Sequence, residues 1–64
     1  MVIVNGESRS IAGITLSEYL KTTDYDPGRI AVERNGEIVP RKDYGAVILK
    51  DEDRIEIVGF VGGG

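Results

Sequence analysis

Histidine and cysteine are both absent from this 64-residue chain, and their absence removes most of the chemistry a small protein can perform unaided. Without imidazole there is no histidine general base and no histidine-ligated metal. Without thiols there is no cysteine nucleophile, no structural zinc of the usual kind and no disulfide. A domain this small that forgoes disulfides fits a reducing, cytoplasmic setting. No apolar run approaches the roughly 20 residues that span a bilayer. Met1-Val2-Ile3-Val4 runs straight into a turn, unlike a cleavable signal. Positive charge is scarce too: 8 Lys and Arg stand against 11 Asp and Glu, for a net charge of −3. Apart from Arg41-Lys42 the cations are scattered singly, so there is no basic stripe for a phosphate backbone. Nucleic acid and membrane are thereby set aside as partners, whereas a mildly acidic surface suits basic protein surfaces. A chain of this length makes one small domain with one marginal core, which leaves little room for an enclosed substrate pocket.

What the chain does have is punctuation. Val2-Ile3-Val4 meets Asn5-Gly6, a strong signal for a two-residue hairpin turn. In that register Val4 faces Glu7 and Ile3 faces Ser8. One face then carries Val2, Val4, Glu7 and Arg9, and the other Met1, Ile3, Ser8 and Ser10. The second face is free of charge and is expected to meet the core. Thr15-Leu16-Ser17-Glu18 has the form of a capping box, with Ile14 and Tyr19 placed for a hydrophobic staple. Leu16, Tyr19 and Leu20 share one face of a short helix near Leu16–Lys21, which should lie on a sheet. Asp26-Pro27-Gly28 marks a turn.

A second hairpin follows, Ile30–Arg34 returning through Asn35-Gly36 into Glu37-Ile38-Val39, with Ile30 and Val32 on one side. Pro40 cannot donate to a ladder, which suits an edge strand. Arg41–Gly45 reads as connecting structure, Ala46–Leu49 as a brief extended segment, and Lys50-Asp51-Glu52-Asp53 as a solvated polar turn. The acids of that turn lack the alternate spacing of a calcium loop.

In the final strand, Ile55, Ile57 and Val61 point one way and Glu56, Val58 and Phe60 the other. If the helix covers the first set, Val58 and Phe60 lie on the open face, where an aromatic and a valine make a docking surface. Gly62-Gly63-Gly64 follow at once. Glycine has no Cβ, so such a stalk can enter a narrow cleft. Extended, three residues reach on the order of 10 Å. The residues alone also allow an inert, frayed terminus.

Two hairpins around one helix, closed by a long last strand beside the first and parallel to it, is the order of an α+β fold of β-grasp, ubiquitin-like type, a mixed sheet packed against one short helix. The expected division is a domain over 1–61 and a flexible glycine tail over 62–64. Four stretches make the resemblance specific: Val4–Glu7, Thr15–Leu20, Ala31–Arg41 with its Asn-Gly-x-Ile-Val-Pro-Arg segment, and Asp53–Gly64. In these the chain resembles the ThiS family, the sulfur carriers of thiamine biosynthesis. Glu52 departs from the family, which usually has Gly before the Asp of the last turn.

The resemblance implies a carrier that is not itself an enzyme. An α-carboxylate ionises with a pKa of about 3.5, so at neutral pH that of Gly64 is a poor electrophile and needs activation. A ubiquitin-activating-type adenylyltransferase would adenylate it with ATP, releasing pyrophosphate. A persulfide-bearing sulfur donor would displace AMP, and the thiocarboxylate would go to the synthase that builds the thiazole of thiamine. The carrier binds no cofactor or metal of its own, and the free chain is expected to be monomeric. Gly62, Gly63 and Gly64 would enter partner active sites, while Val58 and Phe60 hold the partner. A molybdopterin-synthase small subunit, a carrier for another sulfur acceptor and a ubiquitin-like protein tag share the fold. A plain β-grasp interaction module with an inert tail is the alternative of another class.

Overall fold

The computed structural model describes Met1–Gly59. The expected boundary between domain and tail falls outside the described residues. The chain order is β1 (Val2–Val4), β2 (Glu7–Arg9), α1 (Leu16–Leu20), a 3-10 turn at Pro27–Arg29, β3 (Ile30–Arg34), β4 (Glu37–Val39), a second 3-10 turn at Arg41–Asp43, and β5 (Arg54–Gly59). The strands form one sheet in the order β2-β1-β5-β3-β4. β5 runs parallel to β1 and antiparallel to β3, so the sheet is mixed and its last strand is central, as the β-grasp order requires.

Both hairpins have the expected register, Val4 opposite Glu7 and Arg34 opposite Glu37. Asn5 and Gly6 have φ of 49° and 83°, and Asn35 and Gly36 have 52° and 86°. Two successive left-handed residues give the turn a twist that matches the flanking strands, and asparagine tolerates this conformation better than most residues with a Cβ.

The helix is short, and its first turn is fully satisfied. Leu16 N–H donates to the Val47 carbonyl at 2.9 Å and Ser17 N–H to that of Tyr44 at 3.0 Å. Glu18 N–H donates to Thr15 Oγ1, and the Thr15 amide donates to Glu18 Oε1, both at 3.0 Å. The capping box is therefore complete, and the bond from the Thr15 amide, reinforced by the Thr15 side chain, holds the Glu18 carboxyl below its ordinary pKa. Leu16, Tyr19 and Leu20 are buried as expected, against Ile30, Val32, Ile55 and Ile57 in one core cluster.

The first hairpin corrects one expectation. Val2 and Val4 are the buried residues, at 0 and 4 % exposure, while Ile3 is only partly covered. The helix lies on the face that carries Glu7 and Arg9. Those two escape burial because β2 is an edge strand that five helical residues do not cover, and they pair with each other at 3.0 Å. Inward-facing charge on an edge also discourages a further strand from adding there.

The connection from Arg41 to Asp53 is more structural than its sequence suggests. Tyr44 and Leu49 belong to the core, and burial raises the Tyr44 pKa. Ala46–Leu49 forms a bridge from Ile48 to Thr15, flanked by backbone bonds in which Leu49 donates to Ile14 and accepts from Gly13, both at 2.8 Å. The polar turn is solvated at Asp51 and Glu52 but not at Asp53, which is 7 % exposed. Glu52 adopts φ of 72°, the left-handed conformation that a glycine takes without strain.

Candidate functional site

Val58, Phe60 and the three glycines, the expected site residues, stand at or after the close of β5, so the geometry of that strand frames the candidate site. At its start, Asp53 accepts from Arg34 Nε, Asn35 Nδ2 and the Lys50 amide, each at 3.0 Å. Burial pushes the Asp53 pKa up, but the bonds from Asn35, Lys50 and Arg34 outweigh it and hold the carboxyl below its ordinary value. Asn35 Oδ1 also accepts from the Arg54 amide at 2.9 Å, and the Asn35 amide donates to the Arg54 carbonyl at 2.8 Å.

At the other end the first hairpin does the same work. β1 and β5 pair at Ile3–Arg54 and Val4–Ile55, and the Asn5 amide then donates to the Ile55 carbonyl at 2.9 Å. The chain turns away at Asn5, yet its side chain continues the ladder. Oδ1 accepts from the Ile57 amide at 2.8 Å and Nδ2 donates to the Ile57 carbonyl at 3.3 Å. Nδ2 also reaches the Tyr25 hydroxyl at 3.3 Å. A carboxamide carries the acceptor and the donor of a peptide group, so Asn5 replaces the residue that β1 lacks. The Asn-Gly pattern pointed to a turn; it carried no signal for this second role, because the partner lies 52 residues away.

Beyond Ile57 the strand pairs with β3 alone among the described residues, Val58 opposite Ala31 and Gly59 opposite Ile30. Ile55 and Ile57 face the core, and Val58 lies on the open face with 59 % of its surface exposed, as its alternation implies. Beside it Glu56 and Glu33 stand directly opposite each other, with no ion pair to either among the described residues. Like charges facing across a sheet weaken it slightly, and here they put two carboxylates near the aliphatic Val58, with Arg54 further back on the same face. A Cβ added at Gly59 would meet nothing within 4 Å, so packing does not demand glycine there. Phe60, Gly62, Gly63 and Gly64, the other expected site residues, lie outside the described residues.

Among the described residues no three His, Cys, Asp or Glu side chains converge as metal ligands, and no helix is long and apolar enough to cross a membrane. The carboxyls with shifted pKa, Glu18 and Asp53, serve a helix cap and a turn.

The sequence model of the ThiS family matches residues 2–64. The sulfur carrier protein ThiS of Bacillus subtilis is 44% identical over 50 residues, 78% of this chain and 76% of that one. A thiazole synthase of Magnetococcus marinus is 47% identical over 62 residues, 95% of this chain. The chain spans only 19% of that relative and 20% of a similar thiazole synthase of Paramagnetospirillum magneticum. Among solved structures, the crystal structure of a thiamine biosynthesis protein (ThiS) from Geobacter metallireducens superposes with a TM-score of 0.78. It is 30% identical, and the match covers 98% of this chain and 97% of that one.

Proposed function

Because the chain belongs to the ThiS family, we propose that it is a sulfur carrier of thiamine biosynthesis, a substrate of other enzymes rather than a catalyst. The observation that carries this reading is the extent of the family match, which runs to residue 64 and so includes the terminal glycines. The chemistry follows from a carboxylate at Gly64. One carboxylate oxygen attacks the α-phosphorus of ATP on a ubiquitin-activating-type adenylyltransferase, and pyrophosphate leaves. The terminal sulfur of a persulfide then attacks the acyl carbon, AMP leaves, and a thiol cleaves the resulting acyl disulfide to the thiocarboxylate. Thiazole synthase is the acceptor of that sulfur. The two relatives that bear this name support the assignment, since each contains a stretch similar to at least 95% of this chain within a much longer one. ATP is consumed by the partner, and the cycle is cytoplasmic.

The open face of β5 is the handle in this scheme. Val58, with Phe60 two residues on, supplies the apolar anchor, and the Glu33–Glu56 pair favours a basic partner surface. Tail and anchor are continuous in the chain, so one docking event delivers Gly64 to the active centre. Intact-mass spectrometry of the natively expressed protein tests the reading. A fraction of the chain should be heavier by the difference between one sulfur and one oxygen atom, with the added mass confined to the C-terminal peptide ending at Gly64. A population wholly unmodified in cells actively making thiamine would refute it.

A further inference from the structure

We propose that Asn5 is a positioning residue for the C-terminal acyl donor. The inference rests on the carrier reading above and adds a part to it. In a parallel ladder the amide and carbonyl of Ile57 on the β1 side would bond to the backbone of the next β1 residues. Here β1 has already turned, and both groups of Ile57 are taken by the one carboxamide of Asn5, at 2.8 and 3.3 Å. Without it the last stretch of β5 would be tied on the β3 side alone from Ile57 onward, rather than from Val58. Asn5 Nδ2 also contacts the Tyr25 hydroxyl, which links the strand end to the segment after α1. Among the described residues the clamp therefore sets how far β5 is held on both sides, and so how firmly the strand that precedes the tail is oriented. A transferable carboxylate must meet an α-phosphate in line, and misplacement by about 1 Å can slow such a step on the order of 100-fold.

The second hairpin provides the control. Asn35 makes the same kind of bonds to the start of β5, at Asp53 and Arg54, at the opposite end of the strand from Gly59. Asn5→Gly and Asn35→Gly both keep a residue that accepts the left-handed turn, and each removes one carboxamide. The assay is ATP–pyrophosphate exchange with the ubiquitin-activating-type adenylyltransferase of the same genome, well below the melting temperature of either variant. It is read alongside amide hydrogen exchange of Ile55 and Ile57. Asn5→Gly should speed exchange at Ile57 by about tenfold, with Ile55 unchanged. It should lower kcat by about tenfold at saturating carrier, with KM nearly unaltered because the docking face is untouched. Asn35→Gly should destabilise the domain yet leave kcat as in the parent chain. Asn5→Asp, which keeps the acceptor but loses both donor contacts, should fall between the parent and Asn5→Gly. Equal kcat for Asn5→Gly and Asn35→Gly, with the parent chain active, overturns the positioning role alone. A parent chain that supports no exchange defeats the carrier reading and this proposal together.

Discussion

Removing the Asp53 carboxylate tests how the acidic turn anchors the functional strand. Asp53→Ala would strand three donors at once: Arg34 Nε, Asn35 Nδ2 and the Lys50 amide. Hydrogen bonds to a charged group contribute about 1.5–3 kcal/mol each, and breaking a buried ion pair costs about 3–5 kcal/mol. Those figures overstate this site, because the Arg34 side chain is 29% exposed and can turn to water. A loss of about 2–3 kcal/mol is the reasoned value, and at ~4–8 °C per kcal/mol for a domain of this size it lowers Tm by roughly 10–20 °C. Asp53→Asn keeps the shape but should recover little, because whichever way the amide is turned its NH2 group faces a donor. The charge also fixes the pH dependence. A carboxyl whose folded pKa lies below its unfolded value adds stability that is fully present above the unfolded pKa of about 3.9 and is lost as pH falls through the folded pKa. Both variants should therefore show a shallower acid limb below about pH 4 than the parent. Urea melts at neutral pH and at pH 3 measure the two effects. An Asp53→Ala protein that melts within about 3 °C of the parent would refute the anchoring role, since that shift corresponds to under 1 kcal/mol.

Three further outcomes are open to measurement. Glu52→Gly should raise stability by up to about 1 kcal/mol, because the left-handed strain of Glu52 at φ 72° outweighs the extra chain entropy of glycine; a lower Tm would show that the turn is unstrained. Val58→Thr keeps the branched shape and strand preference, so Tm should barely move, while affinity for the adenylyltransferase should fall about tenfold as a hydroxyl is buried at the contact; unchanged calorimetric affinity would remove Val58 from the docking face. Gly64→Val should fold as the parent does yet support pyrophosphate exchange about 100-fold more slowly, since a Cβ narrows the approach to the α-phosphate; a near-normal rate would mean a cleft wider than the glycines imply.

The parts of this fold legible in the sequence are those that repeat over a few residues. The register of both hairpins follows from two Asn-Gly pairs, the helix start from Thr15 and Glu18, and the two faces of β5 from strict alternation. The misread face of the first hairpin has a physical cause. Charge counting treats two paired strands as equally covered, but a five-residue helix reaches β1 and stops short of β2. Tyr44 and Leu49 were not legible as core because an irregular segment has no period to reveal an inward side chain. Asp53 looked like its acidic neighbours, and nothing local distinguishes the one whose partners, Arg34 and Asn35, come from another strand and its turn.

The two asparagines show most plainly where local reading stops. For the turns alone, Asp-Gly would serve nearly as well as Asn-Gly. The preference becomes intelligible only once the sheet is assembled, because β5 is the central strand and its neighbours are short. β1 has three residues and pairs with β5 at two positions, and β3 turns at Asn35 just as β5 begins. Each shortfall leaves an amide of β5 in need of an acceptor, and each is met by a carboxamide that also has a proton to give, to Ile57 O at one end and Asp53 Oδ1 at the other. An aspartate could accept but not donate, so Asn at both turns follows from the position of β5 rather than from the hairpins. The strand that leads to the glycines is thus held toward both ends by side chains whose local sequence speaks only of turns.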